Sequence, residues 1–330
     1  MRVCLYPQVG SGGPGSFQGR LRRALEAAGL ETTYRLDDRP LHAVLIFAAT
    51  RNWHGLAGCR RDGIPIVQRL DGINWIHRVH RVPPSYFITS ELRNLLLRLV
   101  RARYADRIIY QSAFVRDWWH RWFGPSRRPA TVIHNGIPLG DGRAPKAAEQ
   151  RVMLVVEGAV RLDRASREIL GAAHRGLREK NVIDRTLVFG HVPSFFQMEG
   201  MRMEGLEFHG HVAAEEIARW QSRAMVQLSL ELNPPCPNSV IEAMAAGLPV
   251  LGYDTGALKE LVHDGEGEVL PYCGDVWKLE PPTNLEALGD GGARISLDWA
   301  KYSRAAQSGA RARFDIAQVA SRYRDALGVW

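Results

Sequence analysis

The chain opens with a short apolar run, MRVCLYP. In the segment that follows, Phe17, Leu21, Leu25 and Ala28 recur at helical spacing with arginines between them, and Gly29 ends the pattern. That pairing repeats. ETTYRL, HAVLIFA and PIVQRL are runs of strand length. SELRNLLLRLVRARYAD and VRDWWHRWFG have helical periodicity, and each precedes another apolar run, RIIYQS and ATVIHNG. Apolar strands alternating with helices predict a parallel sheet covered on both faces. Residues 138–150, PLGDGRAPKAAEQ, break the pattern with Gly, Pro and charge and read as a linker. The alternation then restarts with RVMLVVEG, a helix at ASREILGAAHRGLRE, RTLVFGH, LEFHGHV, a helix at AEEIARWQSR, AMVQLSL, a helix at VIEAMAA, LPVLGYD and EVLPY. The tail from Ser303 to Leu327 has the pattern of a basic amphipathic helix. The expectation is two doubly wound α/β halves, residues 1–145 and 146–302, with a tail at 303–330 that packs back across them.

Length and composition agree with that division. A chain of 330 residues can bury two separate cores. No stretch has the apolar length to span a bilayer, and the N-terminus lacks the long apolar region of a signal peptide. Cys4, Cys59, Cys236 and Cys273 are scattered without a C-x-x-C pair, so neither zinc nor a disulfide framework is expected, and a reducing cytoplasm is the expected address.

Charge adds a question about partners. The formal net charge is +8, carried mainly by arginine. A basic surface suits nucleic acid, anionic lipid or phosphorylated small molecules. No nucleic-acid motif is present, and nucleic acid is not expected. The stretches ELRNLLLRLVRARY and RDWWHRWFGPSRRP mix arginine with Leu, Trp and Phe. The expectation is that their apolar members pack on the sheet and their arginines are solvated. Peripheral docking at the inner face of an anionic membrane is the alternative.

Four segments carry candidate chemistry, and all lie at the ends of strands, where open parallel sheets bind ligands. GSGGPGSF, Gly10 to Phe17, follows a strand and opens a helix. Its glycines let a backbone approach a ligand, and the helix start favours an anion. Gly10, Gly12 and Gly15 satisfy G-x-G-x-x-G with Asp37 or Asp38 downstream, which alone would suggest a nicotinamide dinucleotide site. Asp71 ends the strand PIVQRL and either orients a hydroxyl or an arginine or makes an Asp-Gly turn. His134 and Asn135, in VIHNGI, are possible ligand contacts beside an Asn-Gly turn. In NPPCPNSVIEAMAAGLPVLGYDTGALKEL, Gly247 is placed to stop a helix, and Ser239-Val-Ile-Glu242 fits a capping box. The same stretch would expose the amides of Asn238, Ser239 and Val240 at a helix N-terminus, an anion site suited to a diphosphate. Glu242 therefore reads two ways, as a cap and as a ligand-binding acid.

CPNSVIEAMAAGLPVLGYDTGALKEL resembles the donor-site signature of family-4 glycosyltransferases, retaining enzymes of the GT-B fold. GGPGSF is similar to that family's N-terminal Gly-rich loop. RLDGINW, YADRIIYQSAF and ATVIHNGI resemble its successive strand ends, VVEG the opening of its second domain, and FHGHVAAEEI the segment before the donor motif. The resemblance covers most of the chain. It implies two Rossmann-like domains facing a central cleft and transfer of a sugar from a nucleotide-diphosphate sugar to an acceptor hydroxyl of a saccharide, lipid or small metabolite. It implies no cofactor beyond that donor, and because the chain has no Asp-x-Asp pair an essential metal is not expected. By the resemblance, Glu242 holds the ribose hydroxyls, and the amides of Asn238 to Val240 hold the diphosphate or the sugar. Gly12 and Gly13 approach the donor phosphates or the acceptor, Asp71 lies on the acceptor or sugar side, and Arg161, with Arg164 nearby, clamps the diphosphate. Two departures stand out. Pro234 occupies the position eight before Glu242 where the family carries an acid, and the diphosphate clamp has arginines but no lysine. Pro234 motivates a non-catalytic GT-B binding subunit as the alternative function; the G-x-G-x-x-G pattern motivates an oxidoreductase.

Overall fold

The computed structural model describes residues 1–10, 12–140, 147–159, 163–191 and 203–329. Its contacts divide the chain into two compact units, Met1–Pro138 with Phe314–Trp330, and Leu139–Arg313.

The first unit holds a six-stranded parallel sheet of β1 (Arg2–Tyr6), β2 (Glu31–Thr33), β3 (Ala43–Phe47), β4 (Ile66–Leu70), β5 (Arg107–Tyr110) and β6 (Ala130–Val132), in the order β2-β1-β3-β4-β5-β6. Both faces of the sheet are covered. Alternate residues of β1 point opposite ways, Val3 and Leu5 into one core and Cys4 into the other. One core receives Phe17, Leu21 and Leu25 from α1 (Gly13–Ala27). The other receives Leu56 and Cys59 from α2 (Trp53–Arg61). α2, WHGLAGCRR, escapes a periodicity reading because two glycines interrupt its pattern. Asn52 starts it, its side chain accepting from the Gly55 N–H at 2.9 Å. α3 (Pro84–Leu99) begins six residues before the expected Ser90, at a proline that needs no amide partner in a first turn. α4 (Ala113–Phe123) buries Val115, Trp118 and Trp119 as expected.

The second unit repeats the plan with β7 (Val152–Ala159), β8 (Arg185–His191), β9 (Leu206–Gly210), β10 (Val226–Ser229), β11 (Val250–Tyr253) and β12 (Gly267–Leu270), in the order β12-β11-β10-β7-β8-β9. Met153, Val155, Val226, Leu228 and Leu251 meet Ile169, Leu170 and Leu177 of α5 (Arg164–Glu179) in its core. α6 (Ala214–Gln221), α7 (Asn238–Ala245) and the short α8 (Leu258–Leu261) follow their strands. α9 (Ala287–Leu297), rich in glycine and silent in the sequence pattern, lies against α5. A Cβ on Gly289 would stand 3.2 Å from Gly176 Cα, so the two backbones approach where neither residue carries a side chain.

The tail is not one helix. α10 (Trp299–Phe314) and α11 (Ile316–Leu327) break at Asp315, whose carboxylate caps α11 by accepting from Ala317 N–H at 3.0 Å. α11 belongs to the first unit and places Val319, Ala320 and Tyr323 in the same core as Phe17. Ile137 bridges to Asp315, donating from its amide to Phe314 O at 2.9 Å and accepting from Ile316 N–H at 3.0 Å. The Asn-Gly pair before it now has a packing reason. A Cβ on Gly136 would lie 2.9 Å from Val319 Cγ2 and 3.0 Å from Ile316 Cα. Gly136→Ala is expected to push α11 away and destabilise the protein by about 1–3 kcal/mol in urea unfolding; an unchanged midpoint would contradict this packing.

Candidate active site

Each sheet reverses its strand order once, and ligands of doubly wound sheets bind at that reversal, beyond the carboxyl ends of the strands. In the second unit the reversal lies between β7 and β10. Glu157, near the end of β7, spans it. One of its carboxylate oxygens accepts from the amides of Leu230 and Glu231, just past β10, at 3.2 Å each. Burial and the adjacent Glu231 carboxylate push the Glu157 carboxyl up to about 8, against the two amides, which favour its charged form. Glu231 itself is exposed. Glu157 was not among the sequence candidates, although VVEG marks the end of a strand; a charged residue in an apolar run at a strand terminus is the signal that could have found it.

From Glu231 the chain turns through Asn233, which has φ +54° and is buried, to Pro234. Pro234 is buried too. Its carbonyl accepts from Ala257 N–H at 2.9 Å, and a Cβ on Gly256 would stand 2.4 Å from its ring, so the loop after β11 is fitted against it. The Asn233 Nδ2 is buried without a hydrogen-bond partner among the described residues.

α7 then starts at Asn238 with Pro237 as its N-cap and no side-chain cap. The expected capping box is therefore absent. Ser239 lies inside the first turn, where its carbonyl accepts from Gln221 Nε2 at 3.3 Å and Gln227 Nε2 at 2.9 Å. The helical ladder begins at Ile241 N–H to Pro237 O, 3.4 Å, so the amides of Asn238, Ser239 and Val240 precede it. Val240 buries its side chain, while Asn238, Ser239 and Glu242 share the half-buried face of the helix. The helix ends as expected at Gly247, φ +77°. Gly247 N–H donates to Met244 O and Leu248 N–H to Ala243 O, both at 2.9 Å, which is the Schellman pattern. Arg164, the first residue of α5, is exposed and turned to Glu168 at 2.8 Å. Arg161 lies outside the described residues.

In the first unit the reversal lies between β1 and β3, and the Gly-rich loop follows β1. Gly12, φ +106°, is the N-cap of α1, and Gly12 and Gly13 are exposed at its start. Gln18, absent from the sequence candidates, anchors the loop to the strand. Its Oε1 accepts from Val9 N–H at 2.8 Å, and its Nε2 donates to Pro7 O at 2.8 Å and to Leu5 O at 3.3 Å. Asp37, proposed for a dinucleotide ribose, is exposed and paired with Arg35 at 2.9 Å.

Asp71 and Asn135 converge on a buried arginine that sequence reasoning passed over. Arg69 donates to Asp71 Oδ1 at 2.5 Å, Gln111 Oε1 at 2.5 Å and Asn135 Oδ1 at 2.6 Å. Its guanidinium stacks 4.8 Å over the Phe17 ring. The ends of β4, β5 and β6 and the start of α1 are thus tied to one charge, and the Asn135 side chain is buried in that network. The Asp71 carbonyl accepts from Trp119 Nε1 at 2.8 Å. His134 packs edge-on to Phe314 with ring centroids 5.8 Å apart.

Two doubly wound parallel sheets with helices on both faces define the GT-B class. Sucrose-phosphate synthase from Thermosynechococcus elongatus has this fold at 18% identity, covering 98% of this chain and 97% of its own, with a TM-score of 0.70. Anabaena HepE, solved in complex with UDP, is similar at 15% identity over 99% of this chain and 100% of its own, with a TM-score of 0.70. AviGT4, a glycosyltransferase involved in avilamycin A biosynthesis, is 15% identical over 99% and 96%, with a TM-score of 0.63. No curated protein matches the sequence. The family models decide the assignment: Glycosyltransferase Family 4 matches residues 14–141 and Glycosyl transferases group 1 matches residues 153–280. The chain belongs to this glycosyltransferase family and is a glycosyltransferase, which accounts for both units where the dinucleotide reading addressed only one.

Glu157 provides a test of the site's electrostatics. A carboxyl whose folded value lies above its unfolded value stabilises fully below its ordinary 4.5, and that contribution is lost as pH rises through about 8. Glu157→Gln keeps an acceptor and removes the titration. Urea unfolding should show the variant gaining on wild type between pH 5 and pH 9, by on the order of 1–3 kcal/mol; a constant difference would contradict the assignment.

Proposed function

We propose that the protein is a retaining glycosyltransferase that moves a sugar from a nucleotide-diphosphate sugar to an acceptor hydroxyl. The observation that carries this reading is the position of α7, whose first amides and Glu242 lie together just past β10 at the reversal of the sheet, inside the segment that matches the group 1 model. Glu242 takes the ribose hydroxyls. The amides of Asn238, Ser239 and Val240 and the positive end of the helix take the diphosphate. In the transfer the bond from the anomeric carbon to the diphosphate oxygen breaks and a bond to the acceptor oxygen forms on the same face. The acceptor proton leaves with the diphosphate, whose growing charge those amides stabilise.

Arg161 and Arg164 are the remaining candidates for the diphosphate, and Gly12, Gly13 and Asp71 for the donor or acceptor side. Asp71 is already held in place by Arg69, so its carboxylate is oriented before any ligand arrives. Asn233 and Glu231 are the candidates to stand in for the acid that Pro234 replaces; the Asn233 Nδ2, buried without a hydrogen-bond partner among the described residues, would donate to a sugar hydroxyl where an acid would accept. HepE has been solved with UDP-glucose, which makes uridine sugars the first donors to try.

Glu242→Ala is expected to lower kcat/KM for the donor about 10- to 100-fold, the loss of hydrogen bonds to a charged group. Proton NMR of the product should show the anomeric configuration of the donor retained. Wild-type turnover by the variant, or an inverted product, would overturn the reading.

A further inference from the structure

α3 is an amphipathic helix mounted with its apolar side outward. Its buried residues are Ser90, Asn94 and Leu97. On the opposite face Ile88, Leu92, Leu95 and Leu99, at spacings of four, three and four, form a continuous stripe open to solvent. Among the described residues nine large apolar side chains are exposed. Seven of them, from Val79 at 41% to Ile88 at 57%, fall between residues 79 and 99. Tyr86 and Phe87 add exposed apolar surface at the N-terminal end of the helix. A groove of about 360 Å³ runs along it, lined by Phe87, Ile88, Leu92, Leu95, Arg98 and Phe123.

The orientation is fixed by hydrogen bonds on the polar side. Asn94 Oδ1 accepts from Asn74 N–H at 3.0 Å, and Asn94 Nδ2 donates to Asn74 O at 2.9 Å. Glu91 accepts from Arg78 Nε at 2.7 Å and Nη2 at 2.9 Å and lies 2.6 Å from His77 Nε2. The helix cannot roll to bury its stripe without breaking these pairs.

Charge names the occupant. Over residues 78–103 the chain has six arginines and one acid, Glu91. Arg78, Arg81, Arg93, Arg98 and Arg103 are exposed, and Glu91 is already paired with Arg78. An apolar stripe bordered by arginines complements an interface that is apolar within and anionic at its surface. It suits a second copy poorly, since facing helices would set arginine borders against each other. No helix among the described residues is long and apolar enough to cross a membrane. We propose that α3 is a peripheral docking surface for anionic lipid bilayers, with Ile88, Leu92, Leu95 and Leu99 seated at the acyl boundary and the surrounding arginines on lipid phosphates.

Cosedimentation of the full chain with vesicles tests this, comparing pure phosphatidylcholine with phosphatidylcholine containing phosphatidylglycerol. Wild type is expected to partition into the anionic vesicles and to leave them as salt is raised. Leu92→Gln with Leu95→Gln should weaken partitioning more than about tenfold, and Arg93→Gln about fivefold; all these positions are exposed, and an unchanged thermal midpoint shows that each variant is folded. If the double variant is unfolded, Ile88→Ser takes its place. Failure of wild type to prefer anionic vesicles overturns the proposal, as does partitioning by the folded variants equal to wild type. A lipid-free dimer, seen by sedimentation and dissolved by the double variant, assigns the stripe to a second copy and overturns it too.

Discussion

Where a doubly wound parallel sheet reverses its order, its two central strands part and the backbone amides just beyond them lose their ladder partners. That constraint shapes the second unit. Glu157 supplies the missing acceptor for Leu230 and Glu231, and in doing so it places a half-buried carboxyl close to another acid. The chain leaves β10 through this fixed point, turns at Asn233 and Pro234, and enters α7 with its first amides and Glu242 just past the reversal of the sheet. The first unit solves the corresponding problem with Gln18, which fastens the Gly-rich loop to β1, and with Arg69, which gathers the ends of three strands.

Pro234 illustrates how one position can serve packing where a relative uses it for recognition. Its ring lies against Gly256, and its carbonyl holds Ala257 at the loop after β11. Pro234 is thus fitted to the loop after β11, and its neighbours in the chain with polar side chains are Asn233 and Glu231.

The alternation of strands and helices was legible because the central β-runs are apolar on both faces and their covering helices carry stripes, as Val3 and Leu5 show against Phe17 and Leu21 and Cys4 shows against Leu56. The C-terminal end of α7 was legible from Gly247. α2 and α9 were not, since glycines erase the periodic signal; in α9 they also let the helix approach α5. Ser239 and Glu242 matched a capping box by spacing, but Pro237 starts the helix two residues earlier, so the spacing had no cap to serve. Arg69 was hidden for a related reason: inside an apolar run it reads as an interruption, and only the strand ends brought together in space give it Asp71, Gln111 and Asn135. α3 misled because its period is helical while its sides are reversed; periodicity reports that a helix has two faces and says nothing of which one the fold covers.

The central claim is that the crevice beside α7 binds a nucleoside diphosphate through Glu242. Thermal unfolding with UDP, GDP, ADP, dTDP and NAD, at equal concentrations, tests it most directly, since a ligand bound only by the folded state raises the midpoint by mass action. The account predicts a rise with one nucleoside diphosphate, none with NAD, and loss of the rise in Glu242→Ala. A rise with that nucleotide undiminished in Glu242→Ala, or no rise with any nucleoside diphosphate, would contradict it.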